Sequence, residues 1–356
     1  MINKKFWKNK RVLITGHTGF KGGWLSVWLN FLEAKISGYS LSPITKKNFF
    51  NTTNLKTLFE VDKRGDIKDY KKISQLIKKF KPEIIFHLAA QPQVLESYIN
   101  PYDTVQTNVI GTTNILDLSF KNKSVKSVII ITTDKVYKNL NKKKRFKEDD
   151  ALGGDDLYSS SKASADIITS SYYHSFFKKK KCGVASVRAG NCIGGGDWTK
   201  FRILTDASES FLKDKKLLIR NPNSTRPWQH VLEPLFGYII LAEKIYENKK
   251  KFYSNSWNFG PKEANQINVM KFAKILKRKM GSNSKIICNK KFDDREKKYL
   301  DLNSKKSTRY LGWKSILDIN KTLDLTAKWY LANDMKKNML VETTKQIEQY
   351  LKLTKK

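Results

Sequence analysis

Short runs of β-branched and aliphatic residues alternate with longer stretches of helical period through the first half of the chain. Between the second and third runs, apolar residues recur every three to four positions from Tyr70 to Phe80, which predicts an amphipathic helix that ends before Pro82. This alternation of strand and helix is typical of a parallel sheet with both faces buried. The predicted strands are Arg11–Thr15, Lys35–Tyr39, Glu83–Leu88, Ser127–Thr132 and Gly183–Val187.

The rhythm loosens after about residue 190, where segments 194–198 and 221–228 are rich in Gly, Pro and Asn. The pattern predicts an α/β fold: a Rossmann-like, doubly wound parallel sheet with a smaller, interleaved C-terminal substrate domain. Further helices are predicted near 233–248, 268–280 and 320–352, and the basic stretch 141–147 is predicted to be a surface loop. The predicted domain bounds are 1–190 for the dinucleotide-binding domain, with a return segment near 233–260, and 191–232 with 261–356 for the other.

A glycine-rich turn directly follows the first strand. Gly16, Gly19 and Gly22 stand at intervals of three, with Thr18 and Phe20 between them, and a helical stretch follows. Such a turn lets the backbone approach a pyrophosphate and directs helix N-terminal amides at it, which predicts a dinucleotide site. A tight structural turn is the alternative. Lys21, inside the turn, either approaches an anionic group or points to solvent.

The adenosine end of the predicted cofactor lacks its usual signature. No carboxylate follows the second strand in the segment 39–43, so the residues themselves leave NAD and NADP open. Lys46 and Lys47 lie near enough to contact a 2′-phosphate, but surface lysines are so common in this chain that a solvated surface is the favoured interpretation. Asp66 and Ile67 are candidates for contact with the adenine, with a helix N-cap as the alternative role for Asp66.

A candidate catalytic constellation combines a strand end with a helix. Tyr158 and Lys162 are four residues apart, which on a helix places a phenol and an ammonium on one face, and a nearby cation lowers the pKa of a phenol. Thr133, Asp134 and Lys135 end the fourth predicted strand, where ligands bind in this architecture. Asp134 and Lys135 add an acid and a base beside the hydroxyl of Thr133. A surface helix and a solvated turn are the alternatives.

Composition narrows the classes of partner. The 356 residues are 40% hydrophobic, enough for one large or two coupled domains. The net charge of +36 raises nucleic acid as a partner, but Lys is spread along the whole chain, which favours a solvated basic surface and no nucleic-acid site. A mild attraction for an anionic substrate follows from either interpretation.

Cysteine, histidine and apolar residues are also informative. The 3 Cys and 4 His lack disulfide or metal-ligand spacing, so we expect no metal and a reducing cytoplasm. The apolar stretch near the N-terminus, Val12–Ile14, is too short for a signal peptide. No segment approaches about 18 continuous apolar residues, so no membrane span is expected.

Several of these motifs together resemble the extended short-chain dehydrogenases/reductases, and the match extends over nearly the whole chain. Within that superfamily they are similar to the nucleotide-sugar 4,6-dehydratases, and Lys135 is typical of the branch acting on CDP-glucose, because the dTDP-glucose branch typically has Glu there. The motifs are the glycine turn, His87–Gln91, Thr133–Lys135, Tyr158–Lys162, Arg188–Asn191 and Arg226–His230.

The resemblance implies a redox-neutral lyase with bound NAD, which forms a 4-keto-6-deoxy sugar for deoxysugar and surface-polysaccharide biosynthesis. It implies catalytic roles for Thr133, Asp134, Lys135, Tyr158 and Lys162, with Lys135 as the base at carbon 5 and Asp134 as the acid at carbon 6. The implied cofactor contacts also include Leu88, Ala89 and Ala90, and the implied substrate contacts are Gln91, Asn191 and Arg226.

Other functions stay open at this point. Another nucleotide-sugar dehydratase or an epimerase would share most of these motifs, and a non-catalytic dinucleotide-binding regulator would share the glycine turn. The intact Thr133, Tyr158 and Lys162 argue against the regulator. Helices near 104–120 and 156–177 match those through which relatives dimerise, so a homodimer or homotetramer is expected.

Overall fold

A parallel sheet forms the centre of the fold. The computed structural model describes residues 2–199, 202–247, 251–262, 265–288 and 299–355. The strands, in chain order, are β1 (Arg11–Thr15), β2 (Lys35–Ser40), β3 (Phe59–Arg64), β4 (Ile84–His87), β5 (Ser127–Ile131), β6 (Arg145–Phe146), β7 (Gly183–Arg188), β8 (Cys192–Ile193), β9 (Leu217–Ile219), β10 (Thr225–Pro227), β11 (Gln229–His230), β12 (Ser256–Asn258), β13 (Gln266–Asn268), β14 (Ile286–Cys288) and β15 (Asp301–Leu302).

Within the described residues, seven of these strands make one sheet in the order β12-β7-β5-β4-β1-β2-β3, and every neighbouring pair is parallel. The chain winds outward from β1 to β3 and then returns to β4, so the direction of winding reverses between β1 and β4. In such a sheet, this reversal opens a crevice at the carboxyl ends of the strands. The predicted doubly wound sheet is confirmed, and all five predicted strands are present within two residues of their expected ends.

Two strands of the sheet were not among the predicted runs. β3 is an edge strand that alternates charged and apolar residues, and β12 is only three residues long, so neither carries the continuous apolar run of a buried strand. β12 pairs with β7 and lies inside the return segment expected near 233–260. The division into two domains itself remains a prediction.

Helices cover both faces of the sheet. The helix expected between residues 70 and 80 is present, and it buries Ile73, Leu76, Ile77 and Phe80. The helices are α1 (Lys4–Trp7), α2 (Phe20–Phe31), α3 (Phe49–Thr52), α4 (Tyr70–Phe80), α5 (Val94–Ile99), α6 (Pro101–Val105), α7 (Gly111–Lys121), α8 (Leu157–Tyr172), α9 (Ile203–Leu212), α10 (Leu232–Glu247), α11 (Val269–Lys279), α12 (Lys305–Leu311), α13 (Ile319–Asp334) and α14 (Met339–Leu353).

Two expectations about the loops and the C-terminus were wrong. Stretch 141–147 is not all surface loop, because β6 within it pairs with β15 and buries Phe146. The helix expected over 320–352 is two helices, α13 and α14. They are separated by Lys336, which has a φ of +55°, and by Asn338, which caps α14. Uniform helical period on both sides of the break hid it from the sequence.

The sheet separates two hydrophobic clusters. The larger cluster includes Trp24, Trp28, Trp257 and Trp329 and joins α2, α10 and α13 to one face. The smaller cluster packs α4 and α7 on the other face, with Tyr39, Ile77 and Ile115 among its members. Because the central strands β1, β4, β5 and β7 are covered on both faces, the site at the strand ends rests on a rigid support.

Helix α10 carries a buried carboxylate that ties the N-terminus to the core. Oε1 of Glu243 accepts hydrogen bonds from the Trp7 Nε1 at 2.5 Å and from the Asn3 amide at 3.0 Å. Burial raises the pKa of Glu243 from 4.5 to about 7. A raised pKa in the folded state means that the stabilising contribution is complete below pH 4.5 and is lost as the pH rises through about 7.

The Glu243→Gln variant should therefore gain stability over the wild type as the pH rises. The amide keeps an acceptor at Oε1 and cannot ionise, so we expect near-equal stability at pH 5 and an advantage of about 1–3 kcal/mol at pH 8. Denaturant unfolding at both pH values measures it. Glu60→Gln, at a half-exposed carboxylate near Lys35, is the control. An equal gain at both pH values would contradict the role of ionisation.

Candidate active site

The glycine turn lies in the crevice between β1 and β4. Gly16 has a φ of +74°, and a Cβ there would lie 2.6 Å from the Ala89 amide nitrogen. A Cβ on Gly22 would lie 2.3 Å from the carbonyl oxygen of Gly16. Side chains are excluded at both positions, the first by backbone conformation and space and the second by space alone.

The turn leads directly into helix α2. Gly19 is the N-cap of α2 and brings no side chain over its first amides, while Phe20 begins the helix half-buried. The Thr18 hydroxyl shares a hydrogen bond of 2.7 Å with the Ser40 hydroxyl and donates to the Leu41 carbonyl at 3.0 Å, so the turn is fixed to the end of β2. A fixed turn with open helix amides is the arrangement that binds a phosphate.

His17 forms the floor of this turn, a role that the sequence did not indicate. Its ring is buried and its Nε2 lies 2.9 Å from Asp62 Oδ1 and 3.0 Å from Arg64 Nη1, both on β3. Burial lowers the pKa of His17 to about 4, so the ring is neutral at physiological pH. A Cβ on Gly38 would lie 2.5 Å from the ring, so β2 needs a glycine beneath it.

Asp66 and Ile67 lie beyond the end of β3, close to the turn. The N-cap alternative for Asp66 is wrong, because the side chain of Asp69 caps α4 by accepting from the Lys72 amide at 2.9 Å. Asp66 accepts from the Lys68 amide instead. Ile67 is buried, and a Cβ on Gly111 would lie 2.6 Å from it.

The two lysines considered for a 2′-phosphate lie in the loop after β2, and one of them contacts Trp198. Lys47 lies over the ring of Trp198, 5.3 Å from its centroid, and Lys46 is exposed in the same loop. Trp198 and Trp228 are both buried, in agreement with packing roles.

The end of β4 forms the opposite wall of the crevice. The amides of Leu88 and Ala89 donate to the carbonyl and hydroxyl of Thr15, and Ala90 follows half-buried. The Gln91 side chain donates to the Thr104 hydroxyl at 2.9 Å. A π-helical turn over residues 106–110 carries the buried Asn108, whose side-chain amide bonds the backbone of Gln91 and the Ser161 hydroxyl.

Asn108 is a residue that pattern reasoning missed. It joins the β4 end to helix α8, and its π-helical turn is the only local signal of its place, visible in the structure and not in the sequence. Such turns often mark functional sites.

The structure brings the predicted catalytic residues together. Thr133 follows β5 and Tyr158 belongs to the first turn of α8, and Thr133 is near enough to influence the pKa of the Tyr158 phenol. The Thr133 hydroxyl bonds Asp134 Oδ1 at 3.0 Å. Lys135 is half-buried beside them, and Lys162 lies one helical turn beyond Tyr158, buried under the same strand end.

The pKa of the phenol differs from the expectation. Burial raises the pKa of Tyr158 to about 12, and the nearby Thr133 opposes that rise. Lys162 is not among the leading influences on this pKa, and its Nζ donates to the Ile131 carbonyl at 2.8 Å. Burial and the nearby charge of Lys21 lower the pKa of Lys162 to about 8. The spacing correctly predicted that Lys162 lies one helical turn from Tyr158, but it could not show where the Lys162 ammonium points.

Asp134 has the environment of an acid. It is 3% exposed, and burial raises its pKa, while the charges of Lys135, Arg226 and Lys21 oppose the rise. Asn191 donates to its Oδ2 at 3.3 Å. A buried carboxyl that keeps its proton nearer neutrality can donate it to a leaving group. Of the two residues expected on the substrate side, Asn191 therefore contacts Asp134, and the charge of Arg226 acts on it.

A buried ion pair fixes α8 against the sheet beneath this constellation. Arg188 of β7 binds Asp166 of α8 through two hydrogen bonds of 2.8 Å, and both residues are almost fully buried. Asp166 also accepts from Thr132 and Ser186. The pair holds α8, which carries Tyr158 and Lys162, in register with the β5 end that carries Thr133.

Two charged groups in the crevice were not assigned from sequence. Lys21 points inward, not to solvent: its charge acts on Asp134 and Lys162, and its Nζ lies 6.0 Å from the ring centroid of the buried Tyr238. Arg202 pairs with Asp197 at 2.7 Å, and its charge acts on Tyr158. Lys21 therefore adds positive charge to the crevice, which suits an anionic group such as a diphosphate, while Asp197 offsets the charge of Arg202.

Among the described residues, no helix is long and apolar enough to cross a membrane. The same residues contain no group of three or more His, Cys, Asp or Glu arranged to hold a metal ion.

Comparison with known proteins agrees with this geometry. Residues 13–326 match the model of the family described as GDP-mannose 4,6 dehydratase. The chain is 40% identical to the CDP-glucose 4,6-dehydratase of Salmonella typhimurium, over 99% of each chain. Among solved structures, it resembles the Thermotoga maritima UDP-glucose 4-epimerase with UDP-glucose, at a TM-score of 0.78 and 19% identity over 91% of this chain and 99% of that one.

It also resembles the Bacillus anthracis dTDP-glucose 4,6-dehydratase in complex with NAD. The TM-score is 0.74 and the identity 23%, over 93% of this chain and 99% of the other.

Proposed function

The chain belongs to the family described as GDP-mannose 4,6 dehydratase, and from that membership we propose that it converts CDP-glucose to CDP-4-keto-6-deoxyglucose and water with NAD as resident cofactor. The observation that carries this proposal is the pairing of two sets of groups at one strand end. Tyr158 and Thr133 suit oxidation of a hydroxyl, while the buried Asp134 and the adjacent Lys135 supply the acid and base of an elimination.

The residues of the crevice fit a dinucleotide. Gly16 and Gly22 leave space that a Cβ would fill, Gly19 opens the amides of α2 to a phosphate, and Lys162 is placed to hold a ribose. NAD, if held there, would supply the hydride acceptor for carbon 4 of the sugar and the hydride donor for carbon 6.

The chain's own groups move the protons. Tyr158 takes the proton of the carbon 4 hydroxyl, which Thr133 holds by a hydrogen bond. Once carbon 4 is a ketone, the proton on carbon 5 is acidic, and Lys135 removes it while Asp134 protonates the hydroxyl leaving carbon 6. Lys135 then returns a proton to carbon 5. The proton taken by Tyr158 balances the proton given by Asp134, so one water leaves per cycle.

One cation and two side-chain amides are proposed for the nucleotide end. Arg226, whose charge acts on Asp134, and Asn191, which donates to Asp134, are the proposed contacts for the diphosphate, with Gln91 at the β4 end as a further contact. A guanidinium suits a diphosphate because it donates two parallel hydrogen bonds. Preference for cytosine is inferred from the relative that acts on CDP-glucose.

The proposed assembly is a homodimer or homotetramer in a reducing cytoplasm. Exposed apolar residues lie on or just before the helices expected to pair. Ile167 and Phe176 lie within residues 156–177, while Tyr98, Ile99 and Tyr102 directly precede residues 104–120, and each of the five is at least 46% exposed. Cys182, Cys192 and Cys288 are free thiols. Light scattering of the purified chain tests the assembly, and a monomer at micromolar concentration would contradict it.

The substrate is tested with purified protein, NAD and a panel of nucleotide sugars: CDP-glucose, dTDP-glucose, UDP-glucose and GDP-mannose. We expect rapid loss of water from CDP-glucose to a 4-keto-6-deoxy product, detected by mass spectrometry, and at least about tenfold lower kcat/KM for the others. An isomer of unchanged mass would indicate an epimerase. No product from CDP-glucose would contradict the proposal.

A further inference from the structure

Gly190 lies against the carboxylate of Asp134. A Cβ on Gly190 would lie 1.7 Å from Oδ2, 2.0 Å from Cγ and 2.3 Å from Oδ1 of Asp134, so the carboxylate occupies the space of the missing side chain. The backbone does not require glycine here, because Gly190 is not among the glycines with positive φ. The close approach of Asp134 is therefore the reason for glycine at this position.

The segment that carries Gly190 is held from its other side. The side chain of the buried Gln229 donates from Nε2 to the carbonyls of Gly190 at 2.9 Å and Phe259 at 3.0 Å. The backbone amide of Gln229 donates to the Asn191 carbonyl at 3.2 Å. Asn191 has a φ of +49°, in the left-handed region, and its side chain donates to Asp134. A segment fixed at this many points cannot retreat easily from a new side chain.

Two of the groups proposed for oxidation, Lys162 and Tyr158, are held by contacts that do not involve Asp134, while the third, Thr133, bonds Asp134 Oδ1 at 3.0 Å. Lys162 is fixed by the Ile131 carbonyl, and α8 is fixed by the pair of Asp166 and Arg188. These contacts do not involve Gly190 or Gln229. A change at Gly190 should therefore act first on Asp134 and only weakly on Tyr158.

We propose that Gly190 and Gln229 are positioning residues that seat Asp134 for protonation of the hydroxyl leaving carbon 6, and that they serve the elimination and not the oxidation at carbon 4. This rests on the proposed function. In the step concerned, Lys135 takes the carbon 5 proton, the carbon 6–oxygen bond breaks as Asp134 gives its proton to that oxygen, and a carbon 5–carbon 6 double bond and water form. Asp134 is left as a carboxylate.

The Gly190→Ala variant separates the two steps. Turnover of CDP-glucose should fall about 100-fold, in the range for loss of a positioned acid. Oxidation of CDP-6-deoxyglucose, which has no leaving group at carbon 6, should stay within about threefold of the wild type, followed as NADH absorbance at 340 nm. Gln229→Met should show the same split. An equal fall in both reactions would overturn the proposal.

A double-mutant cycle distinguishes a specific role of Gly190 in positioning Asp134 from a general role of Gly190 in the loop. Asp134→Ala removes the carboxylate and leaves space for a methyl group, so adding Gly190→Ala to it should change turnover by less than about threefold. The same holds for stability: Gly190→Ala should lower the unfolding temperature of the wild type but not of Asp134→Ala. Equal effects of Gly190→Ala in the wild type and in Asp134→Ala would overturn the positioning role.

Gly153→Ala is the matched control, because its Cβ would meet Lys138 at 3.4 Å, an ordinary contact, and it should keep wild-type turnover. If Gly190→Ala alone fails to fold, the double variant with Asp134→Ala should fold, and failure of both contradicts the proposal. If the wild type leaves CDP-glucose unchanged, the proposed function and the assigned step are overturned, while the unfolding cycle still decides the contact between Gly190 and Asp134.

Discussion

Tyr158→Phe is expected to reduce turnover of CDP-glucose by about 10²–10⁴-fold, the usual cost of removing a general base. The phenol lies close to Thr133 at the strand end, and Phe fills nearly the same space without a group that takes a proton. The first step should be lost, so no NADH absorbance should develop with CDP-glucose. Steady-state product analysis and single-turnover absorbance at 340 nm measure both effects.

Tyr172→Phe, at the last residue of the same helix, is the matched control and should retain wild-type turnover. NAD binding by Tyr158→Phe, measured by calorimetry, should change little, because the glycine turn is untouched. Wild-type kcat/KM should rise with pH, since only the ionised phenol accepts a proton and burial raises its pKa to about 12 before the cofactor binds. Turnover of Tyr158→Phe within a few-fold of the wild type would remove Tyr158 from this role.

The parts of the fold that the sequence predicted are those with strong local signals. β1, β4 and β5 are continuous apolar runs buried on both faces, and α4 repeats its apolar residues at helical spacing. β3 and β6 lacked such signals. β3, at the sheet edge, mixes charged and apolar residues, and β6 is a two-residue strand that forms by pairing with β15, far along the chain.

The candidate site divides in a similar way. Thr133, Tyr158 and Lys162 were predicted from spacing and from their place at a strand end, and the structure brings them together. Chemistry that depends on tertiary contacts was not predictable. The ammonium of Lys162 turns to the Ile131 carbonyl, and burial sets the pKa of Tyr158, two facts that spacing along a helix does not contain.

Glycines show the same distinction within one residue type. Gly16 was predicted from its place in the turn, and its φ of +74° explains it locally. Gly190 has no positive φ, and glycine is needed there because Asp134, 56 residues away in the sequence, fills the space of a side chain. A local pattern can identify the first kind of glycine, while only the folded chain reveals the second.

Lys135→Met is expected to stop the reaction one step later than Tyr158→Phe. The variant keeps Tyr158, Thr133 and Lys162, so oxidation at carbon 4 should proceed, but it lacks the amine that removes the carbon 5 proton. We therefore expect overall turnover to fall by about 10²–10⁴-fold. With CDP-glucose, NADH absorbance should rise by up to one equivalent per site and then persist.

The contrast between the two variants tests the assignment of roles more sharply than either alone. Loss of NADH formation in Lys135→Met would place Lys135 in the oxidation or in binding, and wild-type turnover would leave Asp134, which lies closest to it in sequence, as both acid and base. Lys138→Met, at an exposed lysine three residues further, is the control for loss of one positive charge. Solvent deuterium supplies an independent measure: if Lys135 exchanges the carbon 5 proton, the wild-type product carries deuterium there, and Lys135→Met should incorporate it far more slowly.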